Sequence, residues 1–156
     1  MAANTKFLQT IKEGYSFKGE SFKIGCGMLD DNVVSGSDII IPLKTMNRHG
    51  LIAGATGTGK TKTLQMLSEG LSDASVPVLL MDIKGDLSGI AAAGTVNDKI
   101  TERCQKLNIQ YKPTAYPVEF LTLSNQKGAR LRATVSEFGP VLLSKILGLN
   151  DTQGGL

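Results

Sequence analysis

The sequence predicts an α/β fold: a parallel sheet with flanking helices, preceded by a small β-rich lead-in. Three observations predict it. At Leu51 the pattern changes from short β-branched runs broken by turn residues to apolar runs alternating with amphipathic segments. Val76–Met81 is continuously apolar, as a strand is when both faces of a parallel sheet are covered. Between such runs, apolar residues recur at the spacing of one helix face. The order strand, loop, helix, strand, helix, strand suits a doubly wound sheet.

Along residues 1–46, Phe22–Gly25, Val33–Val34 and Ile39–Ile41 read as short strands. Asp30-Asp31-Asn32 and Ser35-Gly36-Ser37 read as the turns between them. Residues 47–156 form the second region. It opens with Leu51-Ile52-Ala53, a short apolar strand entering a glycine-rich loop. Thr61 to Asp73 is expected to be helical, with Leu64, Leu67 and Leu71 on one face. Asn97–Asn108 fits another helix, placing Ile100, Cys104 and Leu107 together. Val118–Leu123 reads as a third buried strand, bounded by Pro117 and Ser124. Leu142, Leu143, Ile146 and Leu147 mark a last helix, stopped near Gly148.

Composition bounds the function. The 156 residues, 41% hydrophobic and 20% charged, suit one domain with a single sizeable core. Lys and Arg number 17 against 14 Asp and Glu, a formal charge of +3 that is too mild to argue for nucleic acid. Eight Phe and Tyr with no Trp give no visible stacking platform for single strands. The opening MAANTKFLQT lacks the apolar core of a signal peptide, and no stretch approaches the ~18 apolar residues of a membrane span. Cys26 and Cys104 are far apart, with no metal-ligand spacing around them. They read as free buried thiols in a reducing cytosol, which makes the expected location cytoplasmic.

The chemistry is carried by Gly54-Ala55-Thr56-Gly57-Thr58-Gly59-Lys60-Thr61, which fits GxxxxGK[ST] at every fixed position. Glycines at 54, 57 and 59 let the backbone approach phosphates without a Cβ in the way. Successive amides, those of Thr56 and Thr58 among them, then point into one anion-binding nest at the positive end of the next helix. Lys60 adds a point charge for the β- and γ-phosphates, and Thr61 a hydroxyl for Mg²⁺. A plain Gly/Thr turn before a helix has no need of Lys followed by Thr at that place. The expected ligand is ATP with Mg²⁺.

Asp82 closes the run Val78-Leu79-Leu80-Met81, with Ile83-Lys84-Gly85-Asp86 following. One reading is a Walker B aspartate holding Mg²⁺ through water, although Ile83 stands where a catalytic glutamate usually follows. A second is the DxxG motif of GTPases. Against it, Asp82 comes only 22 residues after Lys60, and no NKxD follows. The third makes Asp82 a polar residue at the carboxyl end of the second sheet strand, facing the ligand crevice. The position favours the third, with a turn-capping Asp as its bland form.

The stretch Asn47-Arg48-His49-Gly50-Leu51-Ile52-Ala53, continuing through the loop to Thr61, resembles the P-loop region of the HerA/FtsK superfamily of DNA-pumping ATPases. Met81-Asp82-Ile83-Lys84-Gly85-Asp86-Leu87 is similar to that superfamily's D-x-K-G-D segment. Arg132-Ala133-Thr134-Val135-Ser136 and Leu147-Gly148-Leu149-Asn150-Asp151 look like the bacterial HerA-like, YjgR-type branch of helicase-like ATPases. The resemblance runs from about Asn47 onward and implies a P-loop NTPase sheet. It makes Gly57, Thr58, Gly59, Lys60 and Thr61 the phosphate and Mg²⁺ contacts, and Lys60 with Asp82 the catalytic candidates. His49 becomes a strand-leading residue. Family members run several times longer, so the chain is expected to be the N-terminal portion of a motor. The resemblance further implies DNA as partner, no membrane, and a homo-oligomeric ring.

Three functions compete: a HerA-like ATP-driven motor, a GTPase switch or small-molecule kinase, and a nucleotide-responsive module without turnover. Kinase lids often carry several arginines over the phosphates, and Arg130 with Arg132 is the only close pair here. The chain is expected to bind ATP but barely hydrolyse it.

Overall fold

The computed structural model describes residues 2–154, which divide after Pro117 into two units. The first unit opens with helix α1 (Ala2–Gly14), which the sequence reading did not anticipate. A hairpin follows, β1 (Ser21–Leu29) with β2 (Asn32–Pro42), paired antiparallel. Its turn is Asp30-Asp31, both at positive φ (48° and 60°), between the paired residues Leu29 and Asn32. That is the backbone of a two-residue hairpin loop whose twist matches the strands. The Asn32 side chain fixes it by donating to Asp30 O at 2.8 Å.

Ser35-Gly36-Ser37, expected as a second turn between strands, lies inside β2 instead. It is an irregularity in the pairing: the register passes from Cys26↔Asp38 to Met28↔Val33. The looped-out residues are tied in by Ser37, fully buried, whose Oγ lies 2.6 Å from Val34 O and 3.2 Å from Gly27 O. A turn signal therefore marked a bulge.

Helix α2 (Lys60–Asp73) follows the glycine-rich loop as expected. Its deeply buried face is polar, Gln65 and Ser68, while Leu64, Leu67 and Leu71 are half-buried. The helix meets β1 where Gly70 faces the Phe22 ring. A Cβ at position 70 would stand 2.5 Å from that ring, so only glycine permits this approach. Helix α3 (Asp98–Leu107) is the expected one, trimmed by a residue at each end. Asn97 caps its start by accepting from Ile100 N at 2.9 Å, and Asn108 at φ 49° ends it in a left-handed turn. Lys23 from β1 donates to Leu107 O at 3.1 Å, bringing a cation to the negative end of α3. Lys23 is also paired with Asp38 at 2.7 Å. Burial opposes the Lys23 charge, but Asp38 and Cys26 outweigh it and raise the Lys23 pKa; the same bond holds the Asp38 carboxyl low.

The second unit holds β3 (Leu121–Thr122), β4 (Ala129–Arg130) and α4 (Val135–Leu147). Strands β3 and β4 run parallel, joined by Ala129 N to Phe120 O (2.7 Å) and Leu131 N to Thr122 O (2.8 Å). Helix α4 starts at a reciprocal Thr134–Glu137 capping box and stops at Gly148 in the left-handed conformation. Inside it, Gly139 (φ 67°, ψ 166°) is not helical and Pro140 follows, so α4 is two helical pieces in sequence.

The chain is thus α/β, but among the described residues no doubly wound parallel sheet is formed. Leu51–Ala53 and Val76–Met81 lie outside any strand, and Val118–Leu123 contributes only Leu121–Thr122. Nor is the second run buried: Leu79 is 79% exposed and Met81 90%. The reason is physical. Apolar, β-prone residues make a strand only against partners that take up their backbone groups, and among the described residues none pairs with these runs. The single large core is likewise absent among the described residues, where only Val34 and Leu87 are buried aliphatic side chains. Cys26 and Cys104 are free, as expected, but half-buried. No described helix is long and apolar enough to cross a membrane.

Candidate nucleotide site

The glycine-rich loop is closed on the carbonyl of Ala55. Ala55 O accepts from Lys60 Nζ at 2.7 Å, from Thr58 Oγ1 at 2.8 Å and from Thr58 N at 3.4 Å. The signature lysine is therefore folded back over its own loop. Gly54 faces Thr58 so closely that a Cβ there would stand 2.5 Å from Thr58 Oγ1. Gly59 is the N-cap of α2 at φ 95°, a left-handed conformation that side chains disfavour.

No side chain caps α2, and no acidic residue lies in its first turn. The first amides of a helix have no intrahelical acceptor, and among the described residues no carboxylate caps this one. Thr63 turns its hydroxyl back to Gly59 O at 3.2 Å. The Thr61 hydroxyl makes no such bond among the described residues. Loop residues 54–58 are exposed, and Gly59, Lys60 and Thr61 half-buried. Amides, one cation and one hydroxyl thus share this loop, which is the donor set a magnesium-bound triphosphate requires.

Asp82 is differently employed. Its Oδ1 accepts from Gly85 N at 2.8 Å and its Oδ2 from Leu87 N at 2.9 Å. Desolvation pushes its pKa up, but the amides of Leu87, Gly85, Lys84 and Asp86 prevail and hold the carboxyl below its ordinary value. The carboxylate builds the turn that follows it, with Gly85 at φ 82° and Leu87 buried beneath. Gln65 of α2 donates its Nε2 to Asp86 O at 3.1 Å, pinning that turn to the helix after the loop.

The structure therefore brings Gly54, Ala55, Thr58 and Lys60 together, while Thr56 and Gly57 lie exposed in the same loop. No hydrogen bond joins Asp82 to Lys60 or Thr61 among the described residues. Lys84, Asp86 and His49 are exposed. Arg130 donates to Asn125 Oδ1 at 3.2 Å within its own unit. No group of three or more His, Cys, Asp or Glu capable of holding a metal occurs among the described residues. Sequence reasoning missed Gln65, because a lone polar residue on a helix carries no signal of what it bonds.

A family model described as helicase HerA-like C-terminal matches residues 29–156. The chain belongs to this HerA-like family. The match covers both the glycine-rich loop and the Asp82 turn, and it begins at Leu29 rather than near Asn47, taking in all of β2. HerA-like membership relates the chain to helicase-type motor ATPases in general. No curated protein and no solved structure matches it.

Proposed function

We propose that Gly54–Thr61 binds the triphosphate of Mg-ATP and that the chain is the ATP-binding portion of a HerA-like motor ATPase. The carrying observation is the uncapped start of α2, with Lys60 held over the loop by a single backbone carbonyl. A bond to Ala55 O is readily exchanged for bonds to phosphate, since charge-assisted bonds to an anion are the stronger kind. The amides from Gly54 through Lys60 would cradle the phosphates, and Thr61 would hold the metal. Mg²⁺, when bound, neutralises charge on the phosphate oxygens and orients them.

Asp82 serves as keeper of its turn. With Ile83 next in sequence, no carboxylate stands beside Asp82 to orient an attacking water. The motor reading extends the site to a P-loop-type sheet in which Leu51–Ala53 and Val76–Met81 pair as parallel strands. Their exposed apolar residues, Leu51, Leu79 and Met81, support that pairing. DNA as the substrate and a ring as the assembly follow the HerA-like relationship, and the location is cytoplasmic.

The test is thermal. A ligand that binds only the native state adds about 2.7 kcal/mol of apparent stability at a hundredfold excess over Kd. Mg-ATP should raise the melting temperature of the wild type and leave Lys60→Ala almost unmoved, with equal melting of the two proteins without nucleotide. Equal shifts in both would refute the site.

A further inference from the structure

Gln65 sits five residues into α2, about 7.5 Å along the helix axis from Lys60. It is among the most buried side chains of the helix, at 6% exposure. Its amide is used at both ends. Nε2 donates to Asp86 O at 3.1 Å, and Oε1 accepts from Lys62 Nζ at 2.8 Å. On the far side, the turn is stiffened by Asp82 through Gly85 N and Leu87 N and seated by the buried Leu87. One helix therefore starts inside the loop and, a turn and a half later, grips the Asp82–Leu87 turn by a single bond from the buried Gln65.

A buried amide cannot give up such a bond without leaving an unpaired polar group. If the first turn of α2 shifts when Lys60 leaves Ala55 O, Gln65 either carries the turn with it or breaks the bond. We propose that Gln65 is a positioning residue that transmits occupancy of the Gly54–Thr61 loop to the Asp82–Leu87 turn. The proposal rests on the nucleotide reading of the loop. It makes the D-x-K-G-D turn a follower of nucleotide state, with exposed Lys84 at its tip as the group whose position changes.

The experiment is residue-resolved amide hydrogen exchange on the whole chain, with and without saturating Mg-ATP, in wild type and Gln65→Glu. Glutamate keeps the acceptor for Lys62 but loses the donor to Asp86 O. In the wild type, Mg-ATP should slow exchange at the loop amides and also at Gly85 and Leu87, on the order of fivefold or more. In Gln65→Glu the loop amides should still slow, while Gly85 and Leu87 should not. A merely structural Gln65 would lower the melting temperature yet leave the nucleotide-linked slowing at the turn intact, which overturns the proposal. Slowing confined to the loop in the wild type overturns it too, as does loss of slowing at both places in the variant. No slowing anywhere in the wild type would instead defeat the nucleotide reading. Gln65→Leu, which removes the polar group from the buried site, gives the same comparison should the glutamate variant fail to fold.

Discussion

The Gly54–Thr61 loop and the Asp82–Leu87 turn are built from similar residues, glycine, lysine and a short polar side chain, yet they spend their amides in opposite ways. The turn contains its own anion. Asp82 takes up Gly85 N and Leu87 N, leaving the exposed cation Lys84 as its outward group. The loop carries no carboxylate, and α2 begins without a side-chain cap; Thr58 N is bonded inside the loop to Ala55 O. One carboxylate thus separates the two: the turn is closed on a charged acceptor, the loop on the neutral Ala55 carbonyl.

The largest effect that bears on this contrast is catalytic. If the turn supplies structure and not a base, steady-state phosphate release should stay near background. An arginine finger alone is worth about 10³–10⁵ in rate where present. Turnover near one per second that Asp82→Asn abolishes would make Asp82 a Walker B residue and dissolve the contrast. Next in size is Gly54→Ala, whose methyl would meet Thr58 Oγ1 at 2.5 Å. It should weaken Mg-ATP binding about tenfold, a 1.4 kcal/mol loss. Adding Thr58→Ala should restore part of it, because the Thr58 Cβ stands farther off at 3.5 Å. Isothermal titration of the single and double variants measures both, and a double variant as weak as the single would reject the clash.

A smaller effect separates the two segments by pH. The Asp82 pKa is lowered on folding from 3.8, so its hold on the turn is complete above that value. It is lost as pH falls through the lower folded value. After correction for intrinsic rates, exchange at Gly85 and Leu87 should accelerate in that acid window, while the carboxylate-free loop shows no such step. A shared step in both segments would erase the distinction. The smallest effect is on nucleic acid. With a net charge of +3, binding of a DNA duplex should be weak and steeply salt-dependent. Filter binding across a salt series checks it, and tight salt-insensitive binding would contradict it.

What could be read from the sequence was local. The helix expected over Asn97–Asn108, the stop near Gly148 and the helix after the glycine-rich loop all form, because the groups that bound them lie within a turn. Helix α1 was missed although Phe7, Leu8 and Ile11 stand at helical spacing, since that segment was read only for the core of a signal peptide. The strands expected at 51–53 and 76–81 are unpaired among the described residues for a deeper reason. Their residues state a preference for extended backbone, whereas a strand also needs a neighbour, which local sequence does not encode. Gln65 was hidden in the same way, its partner lying 21 residues along the chain.

The break in α4 has a mechanical consequence. Pro140 has no N–H to donate, and Gly139 takes a positive-φ conformation, φ 67° and ψ 166°, that favours glycine. The one-turn piece Val135–Phe138 and the piece from Pro140 to Leu147 can therefore pivot about Gly139 with no proline hydrogen bond to break. Each piece has its own fastening, the capping box at one end and the Gly148 stop at the other, so bending at the joint unravels neither.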